Sequence, residues 1–197
     1  MKKKVLTLLF LLAFLFLLTF FILNRGIMTE EKDIINLQLK DGIVVIETRP
    51  DLAPNHVKQI KELINAGEYN GVVFHRVIKD FMAQTGDVKY GNTSKKTFNL
   101  DMAGTGGSEL PNLKAEFSNE SHLRGSVSMA RSQNPDSGGS QFFICVADAR
   151  FLDNQYTVFG KVVSGMDAVD AIVSAPRDAR DNPNDRINMK VRLEDYK

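Results

Sequence analysis

The feature that most constrains the fold of this chain is a series of short apolar runs that alternate with polar residues and end at turns. Ile35–Lys40 and Ile43–Thr48 flank Asp41-Gly42, which predicts a hairpin with an Asp-Gly turn. Further strands are predicted at 72–78, 125–130, 141–146, 156–163 and 187–193, with helices at 51–67 and from Met166 to just before Pro176 and a long surface loop at 86–113. Many short strands with two separate helices favour a mostly-β barrel or sandwich over a doubly wound sheet.

A charge-free segment of 19 residues, VLTLLFLLAFLFLLTFFIL (5–23), precedes this pattern. As a helix it would be about 28 Å long, close to the hydrocarbon thickness of a bilayer. Because it is longer than a signal-peptide core and no small-residue cleavage site follows, we expect an uncleaved transmembrane signal anchor (1–28) before the domain (29–197). Lys2, Lys3 and Lys4 predict a cytoplasmic N-terminus and an extracytoplasmic domain, in the periplasm if the source is bacterial. A cleaved signal peptide and a soluble secreted or periplasmic protein remain the alternative.

The charge balance and the cysteine content exclude several classes of function. Without the four cations that flank the apolar segment, the chain has 21 basic and 24 acidic residues, so nothing indicates a nucleic-acid partner. The single cysteine, Cys145, lies in an apolar run that predicts a buried strand. Three scattered histidines lack the spacing of metal ligands, and the glycine cluster 104–108 lacks the Gly-Lys-Ser/Thr of a phosphate loop.

Three separated stretches carry a more specific signal: FHRVIKDFMAQTGD (74–87), GSVSMARSQNPDSGGSQFFI (125–144) and FLDNQYTVFGKV (151–162). In sequence, order and spacing they resemble the cyclophilin-type peptidyl-prolyl cis-trans isomerases, with departures typical of bacterial members. The likeness runs from about Asp33 to Tyr196. It implies a closed eight-stranded antiparallel barrel capped by two α-helices, with a shallow substrate groove on its outer surface.

The resemblance also implies a set of site residues. Arg76 falls on the family's catalytic arginine, in a reaction that needs no cofactor and no metal. The implied substrate-binding residues are Phe81, Met82, Phe143 and Leu152 around the proline ring, Gln84 and Gln141 as polar groove residues, Ala130 and Arg131 along the substrate backbone, and Phe151 and Tyr156 at the pocket wall.

Three of these positions differ from the pattern of many eukaryotic members. Phe151 replaces a tryptophan, which removes an indole N–H donor, so cyclosporin binding is expected to be weak. Tyr156 replaces a histidine and is expected to shape the pocket wall. Arg131 replaces an asparagine and adds a cation beside the groove.

A permanent cation among apolar side chains suits prolyl isomerisation. Rotation about the X-Pro bond breaks amide resonance and returns electron density to the proline nitrogen, so a fixed, always-charged donor stabilises the twisted amide. On a regular strand, Phe74, Arg76 and Ile78 would share one face and His75 the other. His75 is expected to be a hydrogen-bonded structural histidine, His56 to be solvated, and His122 to lie in a loop.

The sequence therefore predicts a membrane-tethered isomerase that acts on proline-containing segments of client proteins folding outside the cytoplasm, with a chaperone on the same scaffold among the alternatives. The alternative is a module on the same scaffold that binds prolyl segments with little turnover. The presence of Arg76 beside the pocket residues favours the enzyme, because binding alone requires the pocket and not the arginine.

Overall fold

The computed structural model describes residue 19 and residues 33–195. The anchor predicted at 5–23 lies outside these residues except for Thr19. Among the described residues, no helix has both the length and the apolar character that a membrane crossing requires.

Eight antiparallel strands form a single sheet, and residues 33–195 also contain two α-helices and two short 3-10 helices, Pro135–Ser137 and Arg150–Leu152. The order of the strands across the sheet is β3-β4-β6-β5-β7-β2-β1-β8. The expectation of a mostly-β, eight-stranded antiparallel sheet with two helices is confirmed. The elements are β1 (Asp33–Leu39), β2 (Gly42–Thr48), α1 (Pro54–Asn65), β3 (Arg76–Ile78), β4 (Met82–Thr85), β5 (Ser126–Met129), β6 (Phe142–Cys145), β7 (Val158–Ser164), α2 (Met166–Ser174) and β8 (Lys190–Asp195).

The hairpin of β1 and β2 forms as predicted, but its turn is shifted by one residue. Leu39 pairs with Gly42, so the two turn residues are Lys40 and Asp41 and not Asp41 and Gly42. This register pairs Leu37 with Val44, and both side chains are fully buried. Burial of one face of the sheet therefore fixes the position of the turn.

The strands predicted at 72–78 and 187–193 begin later than expected, because their first residues pair with each other instead. Backbone N–H groups of Gly71 and Phe74 donate to the carbonyls of Met189 and Ile187, and Met189 donates to Val72. Regular strand pairing starts only at Arg76 and at Lys190, in the two strands at the ends of the sheet order.

This late start overturns one expectation about side-chain direction. Phe74 lies in the main core while Arg76 is exposed, so the two do not share a face as a regular strand would require. His75 is buried, away from the exposed Arg76, as predicted. The strand β4 was missed in the sequence because it has only four residues, Met82–Thr85, and is followed at once by Gly86.

Helix α1 packs on β7 and β8, and α2 packs on β2, β3 and β4. The first turn of α1 is capped from a distant segment, since the backbone N–H groups of Asn55 and His56 donate to the Glu116 carboxylate at 3.1 and 3.0 Å. His56 is buried, with Nδ1 2.6 Å from Glu116 Oε2, so the expectation that it is solvated was wrong. Burial lowers the pKa of His56, against the opposing effect of the Glu116 carboxylate.

Alternation along β4 and β6 divides the apolar residues into two clusters. Ala83 and Ile144 pair with each other and point into the large core that the sheet forms with α1 and α2. Their neighbours Met82, Phe143 and Cys145 point to the opposite face and form a second, smaller cluster with Ala149 and Leu152. The second cluster gives the outer face of the sheet an apolar floor at β4 and β6.

Candidate active site

Strand register brings three of the predicted site residues into one row across the sheet. Arg76 on β3 lies opposite Gln84 on β4, and Gln84 lies opposite Phe143 on β6. Residues that face each other on neighbouring strands have Cβ atoms about 5 Å apart, so a cation, an amide and an aromatic ring follow in sequence over roughly 10 Å.

A cavity of about 100 Å³ opens beside this row. Buried Met82, Phe143 and Leu152 form its apolar floor, and Arg76 lies exposed at its edge. Nine of the eleven predicted site residues line it: Arg76, Phe81, Met82, Gln84, Ala130, Arg131, Phe143, Leu152 and Tyr156.

The other two predicted residues lie next to this lining. Phe151 packs its ring against Phe81 at a centroid distance of 5.4 Å and leaves 65% of its surface exposed. Gln141 contacts the lining through Gln84 and itself lines a second cavity of about 500 Å³. The two cavities share Gln84, Ala130 and Arg131 and therefore form one continuous groove.

Arg76 is held at one end of a chain of amide hydrogen bonds. Its Nη1 lies 3.4 Å from Gln84 Oε1, and Gln84 Nε2 donates to Gln141 Oε1 at 3.0 Å. Gln141 Nε2 in turn donates to the carbonyl oxygens of Gly104 and Gly106 at 3.0 and 2.7 Å. Within residues 33–195, Arg76 forms no ion pair with a carboxylate. Neutral amides orient its guanidinium, and its positive charge remains uncompensated.

Sequence reasoning missed Asp87, which anchors the loop at the far end of this chain. Its buried carboxylate accepts the backbone N–H groups of Tyr90 at 2.8 Å, Gly104 at 2.8 Å and Gly106 at 2.9 Å, and that of Lys89 at 3.1 Å. The Asp87 carboxylate thus fixes the two glycine carbonyls that receive Gln141. The only sequence signal was an acidic residue between Gly86 and a glycine-rich loop.

His122 was also missed, and it supports the pocket from below. Its ring is fully buried, with Nδ1 3.1 Å from Asp153 Oδ1 and Nε2 3.0 Å from Ser128 Oγ. It stacks under Phe143 at a centroid distance of 6.3 Å. The pKa of Asp153 is lowered chiefly by the backbone N–H of His122, which donates to Asp153 Oδ1 at 2.7 Å.

His75 is 4% exposed, and neither ring nitrogen has a hydrogen-bond partner among residues 33–195. The expectation that its ring is hydrogen-bonded was therefore wrong. Burial lowers its pKa to about 4, with Asp87 opposing the shift and Arg76 adding to it. At neutral pH His75 is an uncharged residue behind the groove and not a base within it.

Neither the cysteine nor any cluster of ligands in residues 33–195 offers other chemistry. Cys145 lies in β6 as expected, and burial raises the pKa of its thiol to about 12. Across these residues, no group of three or more His, Cys, Asp or Glu side chains is placed to hold a metal ion.

Comparison with known proteins agrees with this geometry. Residues 34–193 match the family described as "Cyclophilin type peptidyl-prolyl cis-trans isomerase/CLD". The chain belongs to this family. A probable peptidyl-prolyl cis-trans isomerase of Brucella abortus is 62% identical over 143 residues, which cover 73% of this chain and 72% of the relative. A peptidyl-prolyl cis-trans isomerase of Acinetobacter baylyi is 40% identical over 141 residues, or 68% of this chain and 69% of the relative.

Solved cyclophilins share the fold. A cyclophilin-type isomerase of Cryptosporidium parvum superimposes with a TM-score of 0.73 at 24% identity, covering 84% of this chain and 99% of that one. Its structure in the presence of the dipeptide Ala-Pro gives a TM-score of 0.71 at 26% identity, with coverage of 83% and 99%. With the family match and the named relatives, the activity of the present chain is that of a cyclophilin-type peptidyl-prolyl cis-trans isomerase.

Proposed function

We propose that the cavity on the outer face of the sheet is the active site and that Arg76 is its catalytic residue. The observation that carries the proposal is the row formed by Arg76, Gln84 and Phe143, which sets an uncompensated guanidinium at the edge of a cavity with an apolar floor. Isomerisation requires a twisted amide with electron density returned to the proline nitrogen. A fixed cation at that point stabilises the twisted amide more than either planar form.

The surrounding residues divide the remaining tasks. Phe81, Met82, Phe143 and Leu152 hold the proline ring by apolar contact while the preceding carbonyl turns. Gln84 restrains the guanidinium through the hydrogen bond at 3.4 Å, so little reorganisation is needed when charge develops. The partly desolvated groove also strengthens the interaction between the cation and the twisted amide.

The size of the cavity supports a polypeptide substrate anchored by one small ring. About 100 Å³ is well below the ~300–1,000 Å³ that encloses a free small-molecule ligand. The structure of the Cryptosporidium parvum relative in the presence of Ala-Pro supports the same substrate class. Proline-containing segments of client proteins are therefore the proposed substrates.

The test compares the full-length chain, in detergent where needed, with the Arg76→Ala variant in an isomerisation assay on a short X-Pro peptide. Loss of one transition-state donor is expected to reduce kcat/KM by about 10²-fold, with an unchanged circular dichroism spectrum. Arg76→Lys keeps the charge but not the planar fork, and should retain intermediate activity. A folded Arg76→Ala variant with near-normal turnover would contradict the catalytic assignment. Prolyl-peptide binding without turnover by the wild type would favour the binding module.

We further propose that residues 5–23 anchor the protein in a membrane, with the isomerase domain on the extracytoplasmic side. The support is the 19-residue apolar segment with three lysines on its N-terminal flank. Alkaline carbonate extraction should leave the protein in the membrane pellet, and protease added outside the membrane should digest the domain. Release into the supernatant with a shortened N-terminus would indicate a cleaved signal peptide instead.

Closure of the sheet into a barrel is a third proposal. The hydrogen bonds between residues 71–74 and 187–189 support it, because these segments lead into the two strands at the ends of the sheet order. Closure predicts slow hydrogen exchange for the amide of Met189, comparable to that of Leu37 in the middle of β1. Fast exchange at Met189 beside a protected Leu37 would indicate an open sheet.

A further inference from the structure

Arg131 lies where the two cavities of the groove meet, and its side chain is held by hydrogen bonds to three carbonyl groups and by a contact with one aromatic ring. Nε and Nη2 donate to the carbonyl oxygen of Gln155 at 3.1 and 2.9 Å, and Nη1 donates to those of Ser132 and Gln133 at 2.9 and 3.4 Å. Its guanidinium also stacks on the ring of Tyr156, with the central carbon 4.4 Å from the ring centroid. The position of this cation is therefore fixed before any substrate arrives.

Within residues 33–195, all the hydrogen-bond partners of Arg131 are neutral carbonyl groups, so its charge remains uncompensated. Arg49, Arg124, Arg177 and Arg180 differ in that each forms an ion pair with a carboxylate. Among the described residues, no aspartate or glutamate lines either cavity, and Arg76 adds a second cation to the same groove. The side chains that line the groove thus carry two positive charges and no negative one, although the chain outside its N-terminal flank is mildly acidic.

We infer that Arg131 makes this isomerase selective for prolyl segments that carry an acidic residue next to the X-Pro pair. A concave groove of one sign, with walls of low dielectric, concentrates the potential of its charges and favours substrate groups of the opposite sign. Since Arg131 is already immobilised, a substrate carboxylate gains the interaction without the entropy cost of ordering the arginine. The inference rests on the proposed active site and adds the class of substrate that this site prefers.

The test uses acetyl- and amide-capped peptides in which Glu or its neutral isostere Gln occupies, in turn, the two positions before and the two positions after the X-Pro pair. Two-dimensional NMR exchange spectroscopy reports kcat/KM without an auxiliary protease. At about 20 mM salt the Glu/Gln ratio of kcat/KM is expected to reach about three- to tenfold at one position or more. It should fall toward one at about 1 M salt, where the Debye length is only about 3 Å.

Three variants isolate the contribution of Arg131. Arg131→Gln should bring the Glu/Gln ratio close to one, whatever happens to the absolute rate, and Arg131→Glu should bring it below one. Arg131→Lys keeps the charge and should keep a ratio above one even where loss of the carbonyl contacts perturbs the loop. Arg192→Gln, on β8 away from both cavities, removes one exposed cation as the matched control and should leave the ratio unchanged.

The outcomes separate this inference from the proposed active site. A wild-type ratio of one at every position, with efficient turnover of the Gln peptides, would overturn the inference and leave the active site intact. A ratio that persists in Arg131→Gln would overturn it as well, by assigning the selectivity to another group. If the Arg76→Ala variant turned over the Gln peptides as fast as the wild type does, that result would instead contradict the proposed active site.

Discussion

Gln84 and Gln141 are joined side chain to side chain, with Gln84 Nε2 donating to Gln141 Oε1 at 3.0 Å. The bond settles the orientation of both amides. Because Gln84 uses its nitrogen here, its oxygen faces Arg76, and because Gln141 uses its oxygen here, its nitrogen faces the carbonyls of Gly104 and Gly106. The orientation of the guanidinium at the groove thus depends on a loop to which it is linked only through Gln84 and Gln141 in the hydrogen bonds of residues 33–195.

Gln141→Ala should weaken catalysis more than substrate binding. The change removes the acceptor for Gln84 and lets its amide rotate away from Arg76, at a cost of about 1 kcal/mol for the lost hydrogen bond. We expect kcat for an X-Pro peptide to fall about fivefold, with KM changed less than twofold. Gln38→Ala, at an exposed position on β1, is the control and should match the wild type. An equal loss in kcat and in 1/KM would argue against a positioning role for Gln141.

Asp87→Asn should destabilise the fold as well as the groove. Four backbone N–H groups converge on the Asp87 carboxylate, and an asparagine in its place offers a single acceptor oxygen and turns an NH₂ group toward donors. We expect a loss of about 3 kcal/mol in the free energy of unfolding by urea. Asp101→Asn removes an exposed carboxylate that pairs with Arg180, and should change the free energy by less than about 0.5 kcal/mol. Equal stability of the two variants would show that the loop is not anchored at Asp87.

The parts of the fold that the sequence predicted are those specified locally. Val57, Ile60 and Ile64 recur at helical spacing and Pro54 stands at the first turn, so α1 follows from a dozen adjacent residues. The site residues converge because three motifs meet on β3, β4, β6 and the segments beside them. This convergence could be predicted only from the family resemblance, since no local sequence pattern places Arg131 beside Tyr156.

The parts that were missed depend on contacts between distant segments. Glu116 reaches His56 across 60 residues of sequence, and Asp87 reaches Gly104 across 17. A histidine on a helix has no local signal that separates a solvated ring from one buried against a remote carboxylate. The same limit explains β3, whose late start is set by the pairing of residues 71–74 with 187–189.

Phe151→Trp should strengthen inhibition by cyclosporin. Phe151 is exposed at the pocket edge against Phe81, so a larger ring fits there without repacking the core. The indole adds an N–H donor, and one net hydrogen bond of about 1 kcal/mol corresponds to roughly fivefold tighter inhibition. Phe151→Tyr is the matched control, because it adds a polar group to the ring without the indole N–H. Equal inhibition constants for the wild type and Phe151→Trp would mean that the missing tryptophan does not limit binding.

His75 predicts a specific acid sensitivity of the fold. Burial holds its pKa at about 4 in the folded chain, against 6.5 for a free histidine. Between pH 6.5 and 4 the His75 ring is therefore protonated in the unfolded chain and neutral in the folded chain. The free energy of unfolding consequently falls as the pH is lowered. At about 1.4 kcal/mol for each unit of pKa, this one group removes roughly 3 kcal/mol by pH 4 and nothing above pH 7.

Replacing His75 with a ring that does not titrate isolates this contribution. In urea unfolding of the wild type and of His75→Phe at pH 7.5, 5.5 and 4.5, the free energy of unfolding of the wild type should fall more steeply as the pH is lowered, by roughly 2–3 kcal/mol over this range. Carboxylates with lowered pKa, such as Asp153 and Glu116, also lose stabilisation in acid, but they are common to both proteins and cancel in the difference. For His75→Gln, the free energy of unfolding should fall with decreasing pH as gently as for His75→Phe, even where its value at pH 7.5 differs. Parallel curves for all three proteins would mean that His75 takes up its proton in the folded state near pH 6.5.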